Sequence, residues 1–134
     1  MVYPLEKYPT AEKTMINGSG WLTVISKSPE LFDIVPEAEG LIASDLDGKV
    51  IVGQTLTDMD HNGIAKKCSA IIKESNGLGT NTGKGALKSA TIELESGYAV
   101  IVGSNTGILI ALAGLDGKAS LSLLKRNLVS ISNL

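Results

Sequence analysis

The segment from Asp58 to Gly63 has the residue types of a calcium-binding loop. It reads DMDHNG, which opens like the loop whose carboxylate and amide oxygens coordinate Ca²⁺. That loop needs a bidentate glutamate at its twelfth position, and here this position holds Ser69. The alternative is a helix start, where acidic side chains are favoured because the helix dipole is positive there. The pattern therefore favours a helix N-terminus over a metal site.

The glycine-rich stretch Gly77–Gly85 contains the pair Gly83-Lys84, which is similar to part of a phosphate-binding loop. The full pattern, G-x-x-x-x-G-K-[ST], requires a glycine where this chain has Leu78 and a serine or threonine where it has Gly85. The stretch is also predicted to lead into a strand, so no helix N-terminus follows it to bind a phosphate. We therefore predict a mobile loop rather than a nucleotide site.

The other reactive side chains have no partners that the sequence identifies. His61 is the single histidine, and nothing places a nucleophile beside it, so we expect a polar residue in the first turn of a helix. Cys68 lies on the apolar side of the same predicted helix and should be a buried, unreactive thiol. Asp45 and Asp47 share a tight turn, which suits turn geometry better than paired acid–base chemistry. We predict no catalytic residue, no metal, no cofactor and no enzymatic activity.

The overall composition restricts the classes of partner. The chain of 134 residues has a formal net charge of −2, and Arg126 is its only arginine. No basic patch is long enough to follow a nucleic-acid backbone, so nucleic-acid binding is not expected. The first ten residues lack the apolar core of a signal peptide, and no uninterrupted apolar segment approaches the ~20 residues of a membrane span. We therefore expect a cytoplasmic, one-domain protein without a membrane partner.

The fold is predicted around the uncharged segment from Tyr98 to Leu115. Two apolar runs, Tyr98–Val102 and Ile108–Ala113, flank the polar stretch GSNTG, a pattern typical of a β-hairpin. Neither run alternates polar with apolar residues, so both faces of both strands should be covered. This pattern indicates a central hairpin in a sheet that has helices on both faces.

Further elements are predicted on either side of this hairpin. The alternating stretch Leu87–Glu95 should form a strand near an edge of the sheet, because one of its faces is polar. Residues 1–20 are weakly patterned and are predicted to be a flexible extension. The other expected elements are Trp21–Lys27, ambiguous between strand and helix, a short helix Pro29–Val35, a hairpin Gly40–Thr55, a helix Asp60–Asn76 ended by Gly77, and a helix Ala119–Ile131. Together they predict an α/β chain of the α+β type, an αβα sandwich with a five-stranded, mostly antiparallel sheet.

The run Val35–Gly53, VPEAEGLIASDLDGKVIVG, resembles the opening of the Roadblock family, the dynein light-chain-like domains. The shared features are a proline after a short helix, a glycine that opens the first strand, and an Asp-Gly hairpin. In this chain they are Pro36, Gly40, Asp47 and Gly48. The later helix, the glycine stretch, three strands and the closing helix continue the similarity over roughly residues 29–134. The resemblance implies a Roadblock-like, profilin-like sandwich within residues 21–134.

The resemblance also implies a function that depends on binding other proteins. Roadblock domains form non-enzymatic homodimers or heterodimers that scaffold or regulate small Ras-like GTPases, or serve as light chains of motors. By this resemblance, the helix Asp60–Ser75 and the strand Ser89–Leu94 pair with their copies across a two-fold axis. The implied interface residues are Ile64, Cys68, Ile71, Ser89, Ala90, Thr91, Ile92, Glu93 and Leu94. An edge strand with few charges favours pairing independently of the resemblance.

Two alternative functions remain open from the sequence. One alternative is a structural light chain of a larger complex. The other is a module that senses a small molecule between sheet and helix. The aromatic content of only 4% argues against a shaped ligand pocket. The single arginine, Arg126, lies in the last predicted helix and is a poor arginine finger for a GTPase. Any effect on a GTPase should therefore come from positioning the partner's own residues.

Overall fold

The computed structural model describes residues 38–104 and 107–132. These residues form five strands, two α-helices and a short 3₁₀ helix. In chain order they are β1 (Ala38–Ser44), β2 (Val50–Thr55), α1 (His61–Thr82), β3 (Ser89–Leu94), β4 (Gly97–Gly103), β5 (Ile108–Gly114), the 3₁₀ helix (Leu115–Ser120) and α2 (Leu121–Ser132). The predicted extension 1–20 and the elements predicted between Trp21 and Val35 lie outside the described residues.

The five strands form one antiparallel sheet with the order β2-β1-β5-β4-β3. The predicted hairpin of β4 and β5 lies inside the sheet, and its residues are buried on both strands except for Gly103 and Leu112, which are half-buried. Strand β3 lies at one edge, as the alternation of Leu87–Glu95 predicts. The described strand is slightly shorter than that stretch and runs from Ser89 to Leu94.

Helices cover both faces of the sheet and close the predicted αβα sandwich. One face lies under α1, because a Cβ on Gly103 of β4 would lie 3.6 Å from the Cδ1 atom of Ile72. Since directly opposed residues share a face, Ile101 of β4 and its partner Ile110 of β5 also lie beneath α1. Helix α2 contacts β4 and β5, and its Leu128 is completely buried. The core therefore consists of two apolar layers separated by the central hairpin.

The turn between β1 and β2 is fastened to α1. Asp45 accepts hydrogen bonds from two backbone N–H groups of the turn, and Gly48 has the positive φ of 86° predicted for it. From α1, the Ser69 hydroxyl donates to the carbonyl oxygen of Leu46 at 2.7 Å. An exposed ion pair joins Lys73 to the turn at 3.6 Å, and such pairs contribute little to stability. The Ser69 hydrogen bond therefore contributes more than the ion pair to holding the turn beside the helix.

The prediction that Asn76-Gly77 ends this helix, with a loop over Gly77–Gly85, is wrong. Helix α1 continues to Thr82 and ends at Gly83, which has the left-handed φ of 69° typical of a helix C-terminus. The Asn76 side chain does not end the helix; its Oδ1 atom accepts the N–H of Leu87 at 2.8 Å. The Gly83-Lys84 pair thus follows a helix C-terminus, where the dipole disfavours a phosphate.

Candidate protein-binding surface

The two edges of the sheet differ in how well they are covered. Along β2, Val50, Ile51 and Thr55 are each at most 3% exposed. Along β3, no residue is buried, and Thr91, Glu93 and Leu94 are exposed. Within residues 38–104 and 107–132, no strand pairs with the outer side of β3. Such an edge offers unpaired N–H and C=O groups to another strand. Strand β3 is therefore the edge that is suited to pairing with a partner.

The two faces of β3 have different chemistry. Ala90 and Ile92 oppose Ile101 and Ala99 of β4, so they lie on the face of the sheet that α1 covers. Leu94 follows the same alternation and is 56% exposed. Thr91 and Glu93 lie on the other face, in contact with solvent. The apolar side chains of this edge therefore lie on the side of the sheet where α1 lies.

A row of apolar side chains runs along the flank of α1 that faces this edge. Ile64, Ile71 and Leu78 follow one another at intervals of seven residues, so they lie on one side of the helix. The opposite flank contains Ser69 and Lys73, which contact the β1–β2 turn. Helix α1 starts beside β2 and reaches β4 at Ile72, so its free flank faces the side of the sheet where β4 and β3 lie.

We call the apolar residues of this flank of α1, together with the apolar residues of β3, the edge surface. Ile64 and Ile71 are half-buried, and Leu78 is 63% exposed. No member carries a charge. The edge surface consists of Ile64, Ile71, Leu78, Ala90, Ile92 and Leu94. Partly exposed apolar side chains beside a strand edge are typical of protein-binding sites.

The remaining predicted interface residues are placed as follows. The polar residues of β3 alternate with its apolar residues and lie on the opposite face of the sheet. They are Ser89, Thr91 and Glu93. Cys68 is only 5% exposed and belongs to the core between α1 and the sheet. It therefore offers almost no surface to a partner.

Burial accounts for the chemistry of Cys68. Removal from water disfavours the thiolate and raises the pKa of the Cys68 thiol to about 11. The thiol is thus neutral at physiological pH, as expected for a structural cysteine. The thiol of the unfolded chain loses its proton near pH 9.0, whereas the thiol of the folded chain keeps it until about pH 11. The free energy of unfolding should therefore decrease as the pH rises across that range.

We expect Ellman's reagent at pH 8 to leave the native protein unlabelled. A pKa of about 11 lowers the thiolate fraction about a hundredfold relative to an unfolded cysteine, and burial restricts access further. The same reagent should label one thiol per chain in denaturant, because Cys68 is the single cysteine. Labelling at equal rates in the native and denatured protein would show that the thiol is not buried.

His61 is buried, which the sequence analysis did not predict. Its side chain is 4% exposed, and its Nε2 atom lies 3.0 Å from Oγ1 of Thr55. That hydroxyl donates its one hydrogen to the carbonyl oxygen of Thr57 at 2.6 Å, so Nε2 is the donor to Thr55 and carries the proton. The ring occupies the space that a Cβ on Gly53 would fill. Gly53 is therefore the feature of the sequence that indicates room for a buried side chain at this place. His61 thus joins α1 to β2.

The acidic residues before α1 act at the helix start. Asp60 is the N-cap, and its carboxylate accepts the N–H of Gly63 at 3.0 Å, as the helix interpretation of DMDHNG predicts. Within residues 38–104 and 107–132, no three His, Cys, Asp or Glu side chains are grouped so that they could hold a metal ion. In the same ranges, no helix is long and apolar enough to cross a membrane.

Comparison with solved structures identifies the fold. A Roadblock/LC7 domain from Streptomyces avermitilis is 22% identical, with 76% of this chain and 88% of that chain covered and a TM-score of 0.66. Myxococcus xanthus MglB is 13% identical, with 76% and 78% covered and a TM-score of 0.67. The gliding protein MglB from Thermus thermophilus is also 13% identical, with 87% and 93% covered and a TM-score of 0.68. At these identities the likeness establishes the fold alone.

Comparison of the sequence with known proteins and protein families gives evidence beyond the fold. No curated protein matches this chain. The pattern of the Roadblock/LC7 domain matches residues 29–119, which is more than half of the chain. That range includes the opening hairpin and the two elements that form the edge surface, α1 and β3. The members of this family are generally non-catalytic regulatory domains. The chain therefore belongs to the Roadblock/LC7 domain family.

Proposed function

We propose that this protein is a non-enzymatic, dimeric scaffold or regulator of a small Ras-like GTPase. Family membership and the fold shared with MglB support this function. The observation that carries it is the edge of β3, unpaired within the described residues, on the side of the sheet towards the apolar flank of α1 and opposite the better-covered β2 edge. Such an arrangement serves binding rather than catalysis.

In the proposed dimer, β3 pairs antiparallel with its copy and joins the two sheets. Both α1 helices then lie on one side of the joint sheet, and the edge surfaces of the two subunits meet. A two-fold contact of this kind is self-complementary, because each subunit contributes the same residues. The uncovered edge is removed at the same time, which lowers the risk of aggregation.

The alternation of β3 restricts the register of this pairing. Opposed residues must share a face, so the two-fold axis passes between a residue and its own copy. Centring on Glu93 would place two like charges opposite each other, which is destabilising. The two middle residues of β3, Thr91 and Ile92, give the longest overlap without this repulsion, so we propose that one of them is at the centre of the strand pair.

The proposed effect on a GTPase is indirect. Arg126 is the only arginine, so the chain has little to offer as an arginine finger. The dimer instead holds the GTPase so that the partner's own residues adopt the active or the inactive arrangement. A light-chain role within a larger complex would use the same dimer, and the two functions differ in whether a GTPase binds.

The test uses the small Ras-like GTPases encoded in the same genome, each loaded with GDP or with a non-hydrolysable GTP analogue. We expect one of them to bind the dimer with an affinity that depends on the nucleotide, measured by calorimetry, and to change its hydrolysis or exchange rate. His61→Ala, compared at equal folded concentration, should preserve this effect because His61 is buried between α1 and β2, where it packs and hydrogen-bonds, and does not belong to the edge surface. Absence of binding in both nucleotide states for every such GTPase would refute the proposed function.

A further inference from the structure

The last two turns of α1 extend past the part of the helix that packs on the sheet. Residues 76–82 read NGLGTNT, and each of them is exposed or half-buried. Leu78 is their single apolar side chain, and it does not belong to the apolar cluster that the described residues form. Among the described residues, these turns therefore have hydrogen bonds to the stretch 84–87 but no apolar packing of Leu78 on the core.

The composition of these turns disfavours a helix. Gly77 and Gly79 lie inside it, and glycine is among the poorest helix formers because it loses the most backbone freedom. The contacts that oppose this cost are hydrogen bonds: the left-handed cap at Gly83, the bonds from Thr80 and Thr82 to carbonyl oxygens one turn earlier, and the bonds that the stretch 84–87 makes to Asn76 and Gly79. Most helical stability in proteins comes from packing of an apolar face, and within residues 38–104 and 107–132 the side chain of Leu78 has no place in the apolar cluster.

We propose that the two turns at residues 76–82 become ordered when a second copy of this chain covers Leu78. This inference rests on the dimer of the proposed function and adds a regulated element to it. Leu78 continues the row of Ile64 and Ile71 with the seven-residue spacing that paired helices use. The row is uncharged and lies on the flank of α1 directed towards β3, so a two-fold contact that joins the β3 edges would also bring the two rows towards each other.

Two substitutions separate the contribution of the side chain from that of the helix. Leu78→Ala removes the apolar contact but keeps a strong helix former, so any weakening of the dimer reflects the lost contact. Gly77→Ala favours the helix, and a Cβ at Gly77 meets no atom within 4 Å. Leu46→Ala is the matched control, because Leu46 is 45% exposed in the β1–β2 turn, away from the edge surface.

The dissociation constant of the dimer is measured for each variant by sedimentation equilibrium. We expect Leu78→Ala to weaken the dimer about tenfold or more. Gly77→Ala should tighten it, by about fivefold for each of the two helices, because the helix no longer has to be ordered from a flexible segment. Leu46→Ala should leave the constant unchanged. Amide exchange at residues 77–82 should be fast in dilute protein and slow in concentrated protein.

The possible failures can be told apart. A wild-type protein that stays monomeric at all concentrations refutes both the proposed dimer and this inference. A wild-type dimer whose affinity is unchanged by Leu78→Ala and by Gly77→Ala refutes this inference alone. Loss of GTPase binding in Leu78→Ala without any change in dimer affinity also refutes it, because the GTPase would then be the molecule that covers Leu78.

Discussion

Replacing Thr91 with proline is expected to abolish the dimer and to leave monomers or aggregates. Thr91 lies in the middle of β3, opposite Val100 of β4. Proline has no N–H group, so a hydrogen bond of the ladder is lost wherever it is placed in a paired strand. If this N–H points outward, pairing with the copy fails and monomers result. If it points to β4, the edge strand detaches and aggregation follows. Size-exclusion chromatography with light scattering distinguishes these products from a dimer.

Thr91→Val is the control for this change. Valine keeps the N–H, has the β-branched shape that strands favour, and lies at an exposed position. We expect a dimer of unchanged mass. A dimer in Thr91→Pro with wild-type affinity would show that the subunits associate through another surface.

The largest loss of stability is expected from Leu128→Ala. Leu128 is completely buried on α2, the helix that covers the central hairpin on the face away from α1. Truncation of a leucine in a packed core costs about 2–5 kcal/mol, because apolar contact is lost and a cavity remains. This is a large part of the roughly 5–15 kcal/mol that stabilises a typical domain. Urea unfolding followed by circular dichroism measures the change.

Leu115→Ala is the same substitution at a site that is 57% exposed. We expect it to change the free energy of unfolding by less than about 0.5 kcal/mol. Equal losses for Leu128→Ala and Leu115→Ala would mean that α2 does not pack on the sheet as the structure has it.

The sequence predicted the sheet well because its strands carry strong local signals. The uncharged runs around GSNTG indicated two covered strands, and they form the interior hairpin β4–β5. The alternation in Leu87–Glu95 indicated an edge strand, and β3 lies at an edge. Asp47-Gly48 indicated a turn, and Gly48 has the positive φ that such a turn needs. In each case a period of two or a turn residue determined the local structure.

The end of α1 was predicted wrongly because Asn-Gly is an ambiguous signal. The pair ends many helices, yet here the Asn76 side chain bonds to Leu87, eleven residues further on, which sequence periodicity does not reveal. Gly83 is the residue that adopts the left-handed cap conformation. The correction adds Leu78 to the apolar row of α1 and gives the candidate surface its third member on that helix.

The candidate site was only partly accessible from the sequence. Helical periodicity placed Ile64, Cys68 and Ile71 on one stripe, but it does not show which side of the stripe faces the sheet. Packing assigns Cys68 to the core and leaves Ile64 and Ile71 half-buried at the flank. The burial of His61 depended on a small residue in a neighbouring strand, Gly53, which only the three-dimensional arrangement brings to it.

The central claim is that this chain associates with its own copy through the edge of β3. Light scattering of the purified wild-type protein at micromolar concentration tests it most directly. One chain has a mass of 13.9 kDa, so the account predicts twice that value, 27.8 kDa, falling towards one chain on dilution. A mass of 13.9 kDa throughout the micromolar range would contradict it.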